Sequence, residues 1–318
     1  MTISIPTPSM QSDSGAIQQP KSATVPTSLR ASVIVPTYQS WDQLQVCLDG
    51  LASQTLNADQ FEIFAVNNDP SDPVPEGFRL PVNARILSEA KPGSYAARNC
   101  GIQEASAELL FFTDSDCQPD PHYLEAGLKM AQVHPEVGRF GGNVVLIPNG
   151  RDWTVTELYD VHLGLEQKKW VERGRAVTAN LIVRRCIMDR IGRFNDKVLS
   201  GGDMEWNDRA KAAGEPILFA ADAIVRHPAR GSLGDHLSKA RRIEGARIRR
   251  NESRGFVNYI PPVQKLIPSF KTLKNLLKNP GLTSAQAIGV WGVHYAIRVV
   301  KITETIRLLW LRRPDQRK

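Results

Sequence analysis

Two carboxylates one residue apart, Asp114 and Asp116, follow the apolar run Leu109-Leu110-Phe111-Phe112. In extended chain, residues i and i+2 point to the same side, with Cα atoms roughly 6.5–7 Å apart. Carboxylates held so close repel, and a bound divalent cation relieves the cost. Hard oxygen ligands together with substrate phosphates are the usual way of holding Mg²⁺ or Mn²⁺. A third carboxylate, Asp203, follows Gly201-Gly202, a pair that permits unusual backbone angles and close approach. Asp203 reads either as the N-cap of a helix running to Gly214 or as a base presented by a glycine turn. His227 closes a strand-like run, Ala223 to Arg226, where it could ligate a metal. The segment Gly93 to Gly101 offers a helix N-terminus able to take a phosphate, with Arg98 and Asn99 one turn in.

These groups need a scaffold, and the first part of the chain supplies one by alternating strand and helix signals. Ala31 to Pro36 is a β-branched run that reads as a buried strand. Ser40 with Gln43 gives a capping-box pattern ahead of a helix whose apolar face is Leu44, Cys47, Leu48 and Leu51. Strands follow at 61–66, 84–87 and 108–113, with a helix at 93–105. Asp120-Pro121 reads as N-cap and first residue of another helix. Such alternation specifies a doubly wound, parallel α/β sheet. From Gly138 the pattern is mixed: strands near 139–147, 177–183 and 217–226, helices near 152–167 and 203–213. In open α/β sheets ligands bind beyond the carboxyl ends of the strands. The loops that end three strands, Pro36-Thr37-Tyr38-Gln39, Asn67-Asn68-Asp69-Pro70 and Asp114-Ser115-Asp116, should therefore face one crevice.

The composition of the 318 residues excludes several classes. Hydrophobic residues at 42% and charged residues at 23% are ordinary globular usage. Cys47, Cys100, Cys117 and Cys186 have long, irregular gaps and read as reduced thiols rather than a zinc site. No apolar leader starts the chain, and no run reaches the ~18 uncharged apolar residues of a membrane span. A cytoplasmic location is the resulting expectation. No G-x-G-x-x-G follows the first strand, and neither a P-loop nor H-E-x-x-H occurs. Residues 1–29, rich in Ser, Thr, Pro and Gln, read as a disordered tail.

Taken together, the motifs resemble an inverting family 2 glycosyltransferase. The landmarks stand in the family's order: Val33 to Gln39, then Gly93 with Ala97-Arg98-Asn99 and Gly101, then Thr113 to Asp116, then Gly201-Gly202-Asp203. The stretches Ala179 to Arg185 and Gly192 to Asn195 resemble the family's segment between the D-x-D and the catalytic acid, so the resemblance covers roughly residues 31–230. It implies a GT-A (Rossmann-like) fold, a mixed, mostly parallel sheet flanked by helices, in a catalytic domain at 30–230. It implies a nucleotide-sugar donor, a UDP-sugar favoured, bound by Pro36, Tyr38, Asn68, Asp69, Arg98 and Asp114. Mn²⁺ or Mg²⁺ on the donor diphosphate would be held by Asp116, with Asp114 and His227 as further ligand candidates. Asp203 would be the general base. Two departures stand out: Asn67-Asn68 where the family usually carries an Asp, and Gly202-Asp203 where Glu-Asp is usual.

Residues 231–318 read as a basic helical extension. Lys239, Arg241, Arg242, Arg247, Arg249, Arg250 and Arg254 face only Glu244 and Glu252 between 239 and 254. This is either a solvated helix face or a surface that reads phosphate, on a lipid-linked acceptor or an anionic membrane. From Ile288, residues Trp291, Tyr295, Val299, Ile302, Ile306 and Leu309 recur at spacings of three and four. Such a stripe packs on protein or lies in a membrane interface; Arg298 and Lys301 argue against spanning the bilayer. The net charge of +7 is thereby assigned to a glycan or lipid-linked acceptor or a membrane surface, with no nucleic acid expected. The competing class is a catalytically silent sugar-nucleotide or nucleic-acid binder of the same fold.

Overall fold

A computed structural model describes residues 29–252 and 266–309, with side chains from 249 to 252 left aside. The tail expected at 1–29 falls almost wholly outside the described residues, as do Arg254, Arg312 and Arg313.

The chain begins with β1 (Ala31–Thr37), α1 (Trp41–Ala52), β2 (Phe61–Asn67), β3 (Ala84–Ser88), α2 (Ser94–Glu104), β4 (Leu109–Thr113), the short β5 (Gln118–Pro119) and α3 (Tyr123–Val133). It continues through β6 (Arg139–Ile147), α4 (Val155–Tyr159), a π-helical turn at Asp160–Gly164, α5 (Gln167–Glu172), β7 (Asn180–Arg184), α6 (Arg185–Ile191), α7 (Gly202–Ala212) and β8 (Ile217–Pro228). Helices α8 (Leu233–Glu252), α9 (Phe270–Leu277) and α10 (Ser284–Leu309) complete the described chain.

The eight strands form one sheet in the order β3-β2-β1-β4-β7-β6-β8-β5. The β3-β2-β1-β4 half is parallel, β7 runs antiparallel to both neighbours, β6 and β8 are parallel, and β5 is antiparallel. The sheet is mixed rather than purely parallel.

Every residue of β1 and β4 is buried, because helices cover both faces of these central strands. Strand alternation then sorts side chains to two cores. Val33, Val35, Ile63, Ala65 and Phe111 join Leu44 and Leu48 of α1 and Leu124 of α3. Ile34, Phe64, Val66, Leu110 and Phe112 join α2, α6 and α7, with Trp206 fully buried among them.

Several boundaries differ from expectation. Ser40 does precede α1, but its hydroxyl donates to Tyr38 O (2.9 Å) instead of capping the helix. Helix α3 starts two residues beyond Pro121, and Asp120 spends its carboxylate on Arg226 (3.0 Å). The helix expected at 152–167 is broken. Thr154 and Glu157 form a reciprocal capping box at its start, and the π turn then carries Asp160 into the interior, 1% exposed. Strand β5 and helix α6 are additions the sequence pattern did not announce.

The extension after β8 is helical, as its pattern indicates. It has a core of its own: Leu158 and Tyr159 of α4, Ala240 of α8, Leu276 of α9, and Ala287, Val290 and Ile297 of α10. The packed face of α10 is rotated from the expected stripe. Ala287 and Val290 are fully buried while Ile288 is 54% exposed. Small residues decide this. A Cβ on Gly289 would lie 2.7 Å from Val155, so only a glycine lets α10 sit this close to α4.

Candidate active site

Asp114 ends β4, and the chain turns there: Cys117 N donates to Asp114 O at 3.0 Å. The two carboxylates are thus not side by side on an extended strand. The turn sends them to different partners. Arg98 of α2 donates through Nη2 to Asp114 Oδ1. Asp116 instead faces His227 at the end of β8, with Oδ2 and Nε2 3.5 Å apart. Burial pushes the Asp116 carboxyl up, and the nearby Asp114 charge adds to this, while His227 opposes it.

The third carboxylate arrives from α7. Gly201, in left-handed backbone at φ 76°, precedes the first turn of the helix. A Cβ on Gly202 would come within 2.8 Å of the Tyr95 ring. The glycine pair therefore lets α7 close onto α2. Asp203 is the second residue of α7, inside the helix, which removes the N-cap reading. Its Oδ1 accepts from Tyr95 Oη at 3.0 Å and from Met204 N at 2.8 Å. Burial raises its pKa, and these two hydrogen bonds counteract the rise.

Helix α2 is therefore the organiser. Tyr95 and Arg98, three residues apart, share one helix face. One holds Asp203 and the other holds Asp114. Arg98 is 3% exposed, and its guanidinium also sits 5.6 Å from the Tyr95 ring centroid. Expected to contact the donor, it lines the cavity and spends Nη2 on Asp114. Asn99 ties the same helix to the loop ahead of α7 by exchanging bonds with Phe194 N and O.

Asn68 also departs from its expected role as a donor contact. Its amide donates to Glu89 O (2.9 Å) and Lys91 O (2.8 Å), and its Oδ1 accepts from Gly93 N (2.7 Å). All three groups are spent on the connection that leads into α2. Pro36 is buried at the end of β1, opposite Val66, and Tyr38 beyond it is 60% exposed. Asp69 Oδ2 accepts from Gln39 Nε2 at 2.8 Å, joining the loops after β1 and β2. Hydrogen bonds from Ser71 and Gln39 hold the Asp69 carboxyl below its usual value.

A cavity of about 880 Å³, within the range of small-molecule sites, is lined by Arg98, Asp114, Asp203 and His227 on the sheet side. Asp116 stands behind this wall against His227. Pro36, Tyr38, Asn68 and Asp69 are not part of its lining. The helical extension contributes a further wall that includes Lys239, Arg242 and Lys301. Tyr95, within the Gly93 to Gly101 segment but given no role from sequence, is the residue whose importance spacing could have signalled, because it lies one turn before Arg98. Asp160 and Arg230 gave no such signal.

The residues around Asp116 fit a divalent cation. Asp116 Oδ1 is buried and has no hydrogen-bond partner among the described residues. His227 Nδ1 lies 2.7 Å from Pro228 O, a contact that would orient the imidazole so that Nε2 could serve as a metal ligand. Ligand atoms of Asp116, Cys117 and His227 fall within 4.8 Å of one another. Cys117 is the least suited of the three, since it is fully buried with Sγ donating to Ala179 O at 3.8 Å. Asp114, expected as a ligand, is drawn away to Arg98. A carboxylate with an imidazole suits Mn²⁺ better than Mg²⁺, which prefers oxygen alone.

Residues 32–194, just over half of the chain, match the sequence signature of Glycosyl transferase family 2. The chain belongs to that family. Glycosyltransferase AglE of Haloferax volcanii is 36% identical over 224 residues, covering 68% of this chain and 72% of AglE. The putative glycosyltransferase EpsH of Bacillus subtilis is 32% identical over a shorter stretch, 31% of this chain and 30% of EpsH. Among solved structures, mannosyltransferase PcManGT from Pyrobaculum calidifontis, in complex with GDP-Man and Mn²⁺, superposes with a TM-score of 0.58 at 18% identity, covering 93% and 92% of the two chains. S. aureus TarS 1-349 in complex with UDP-GlcNAc gives 0.51 at 17% identity, covering 91% and 93%. At these identities the structural likeness is one of fold, and it agrees with the GT-A architecture. The chain is a family 2 glycosyltransferase with a C-terminal helical region.

Proposed function

We propose that this glycosyltransferase moves one sugar from a nucleotide-sugar donor to a glycan or lipid-linked acceptor, with inversion at the anomeric carbon. The observation that carries the reading is the Asp203 carboxylate on the cavity wall, held by Tyr95, with Asp114 on the same wall. Asp203 takes the proton from the acceptor hydroxyl as that oxygen attacks the anomeric carbon. Burial raises the Asp203 carboxyl, so its ionised form is a better proton acceptor than an exposed carboxylate. Tyr95 fixes the carboxylate's direction. Arg98 holds Asp114 at the end of β4, where it meets the donor ribose. Tyr38 and the main chain at Pro36 line the base pocket at the neighbouring strand ends, with Asp69 beside them.

Mn²⁺ or Mg²⁺, held by Asp116 and His227, would neutralise charge on the leaving nucleoside diphosphate. That GDP-Man with Mn²⁺ and UDP-GlcNAc occupy fold relatives supports a donor of this class; a UDP-sugar is the donor we favour. The setting is polysaccharide or glycolipid assembly in the cytoplasm. No helix among the described residues is long and apolar enough to cross a membrane. Peripheral attachment has a better candidate than the α10 stripe. Leu266, Ile267, Phe270 and Leu277 are exposed beside Lys271, Lys274 and Lys278, an apolar and basic mixture suited to an interface.

The test is donor hydrolysis and transfer across a panel of nucleotide sugars with Mn²⁺. Release of nucleoside diphosphate that Asp203→Asn leaves unchanged would remove the base assignment. Binding of a nucleotide sugar without any turnover would point to the silent binder instead.

A further inference from the structure

The helical wall of the cavity is built differently from the sheet wall. Lys239 and Arg242 stand on α8, one turn apart, and Arg230 precedes that helix. Arg230 is paired with the buried Asp160 at 3.2 Å. Neither Lys239 nor Arg242 has an ion-pair partner among the described residues. Burial pulls the Lys239 ammonium down to about 8, and the charges of Arg230, Arg242 and Lys301 push the same way; Asp160 opposes them. Arg242 is held below its usual value for the same reasons, burial first and then Arg230. Gathering like charges at a partly desolvated wall is costly unless an anion enters to offset it.

The same wall is apolar between its charges. Ala240, Ile243, Ala246 and Ile297 line it, and Ile243 is 42% exposed. A free inorganic anion has no use for such a surface, whereas a phosphate ester on a hydrocarbon chain does. The wall belongs to the same cavity as the carboxylates that would hold the donor. Asp203 is on the lining of the same cavity, so an acceptor anchored at α8 reaches the base.

We infer that Lys239 and Arg242, with Arg230 behind them, bind the phosphate or diphosphate of a lipid-linked acceptor and present its sugar hydroxyl to Asp203. This rests on the donor-site reading above and narrows the acceptor to one that carries phosphate on an apolar chain.

Calorimetric titration of the full chain with UDP and Mn²⁺ held at saturation tests it. Inorganic pyrophosphate and decyl diphosphate are the two probes. The expected result is that both bind, decyl diphosphate at least about ten-fold tighter, and that Lys239→Met and Arg242→Met each weaken both by about ten-fold or more. Lys239→Arg should restore most of the loss, and unchanged melting temperatures exclude misfolding. UDP affinity, titrated separately, should stay within about two-fold in every variant. Absence of decyl diphosphate binding overturns the inference. So does a parallel fall in UDP affinity, which would give the cations to the donor. Equal affinity for the two probes overturns the lipid assignment. Failure of UDP to bind the unaltered protein would count against the donor site and is read from its own titration.

Discussion

The two walls of the cavity hold their charges by opposite means. On the sheet side each carboxylate has an assigned partner: Arg98 for Asp114, His227 for Asp116, Tyr95 for Asp203. On the helical side Lys239 and Arg242 stand without an ion pair among the described residues. The first wall is preorganised, its geometry fixed before anything binds, as catalysis demands. The second is charged but open, which is what recognition of a variable, anionic partner demands.

Substitutions on the sheet wall should break this contrast most strongly. Asp203→Asn removes the proposed base and keeps the shape. The expected loss in kcat is about 10²–10⁴-fold, with nucleotide affinity unchanged, read from steady-state kinetics beside UDP titration. His227→Ala should weaken Mn²⁺ activation by about ten-fold or more, seen as a shift in the metal concentration for half-maximal rate. A rate unaffected by both the substitution and EDTA would move the metal elsewhere.

Asn68→Ala separates bracing from donor contact. Leaving the backbone groups of Glu89, Lys91 and Gly93 without their partner should cost about 1–3 kcal/mol in urea unfolding. A large loss of UDP affinity with full stability would restore the original expectation for this residue.

Tyr95→Phe sharpens the picture through pH. Only ionised Asp203 can accept a proton, so the rate falls as pH drops through its pKa. Burial already places that pKa above the ordinary carboxylate value, and the Tyr95 hydroxyl opposes the rise. Without the hydroxyl, the acidic limb of kcat should move further toward neutral pH, while Tm changes little. The smallest effect belongs to the helical side. Ile288→Ser, on the exposed face of α10, should change stability by within about 0.5 kcal/mol, whereas Ile297→Ala on the packed face should cost about 2–5.

The central strands and the loops that end them were legible in the amino-acid sequence because burial on both faces leaves an unbroken apolar run. Asp114, Asp116, Asp203 and His227 stand out by their place at strand ends and after the glycine pair, and the structure sets Asp114, Asp203 and His227 on one cavity with Asp116 beside His227. What escaped was set by partners distant along the chain. Tyr95 gains its role only when α7 closes on α2, bringing in a residue 108 positions away. Asn68 looked like a ligand contact because nothing local shows that the backbone beyond β3 claims all its bonds. Strand β5 exists only because β8 pairs with it. The face of α10 was misjudged because large residues lie on several sides, and the small Ala287 and Gly289 decide which one packs.

Helix α2 has a final consequence. Tyr95 and Arg98 mount Asp203, the proposed base, and Asp114, the proposed donor-side carboxylate, on one rigid rod, a single turn apart. When that rod rocks or slides, both anchors travel together, and the gap between them is largely preserved. An in-line displacement tolerates reacting atoms only about 3–3.5 Å apart. Two loops placed independently would add their fluctuations at that gap. A shared mount cancels them, so the helix acts as a ruler for the reaction while the surrounding loops stay free to admit substrate and release product.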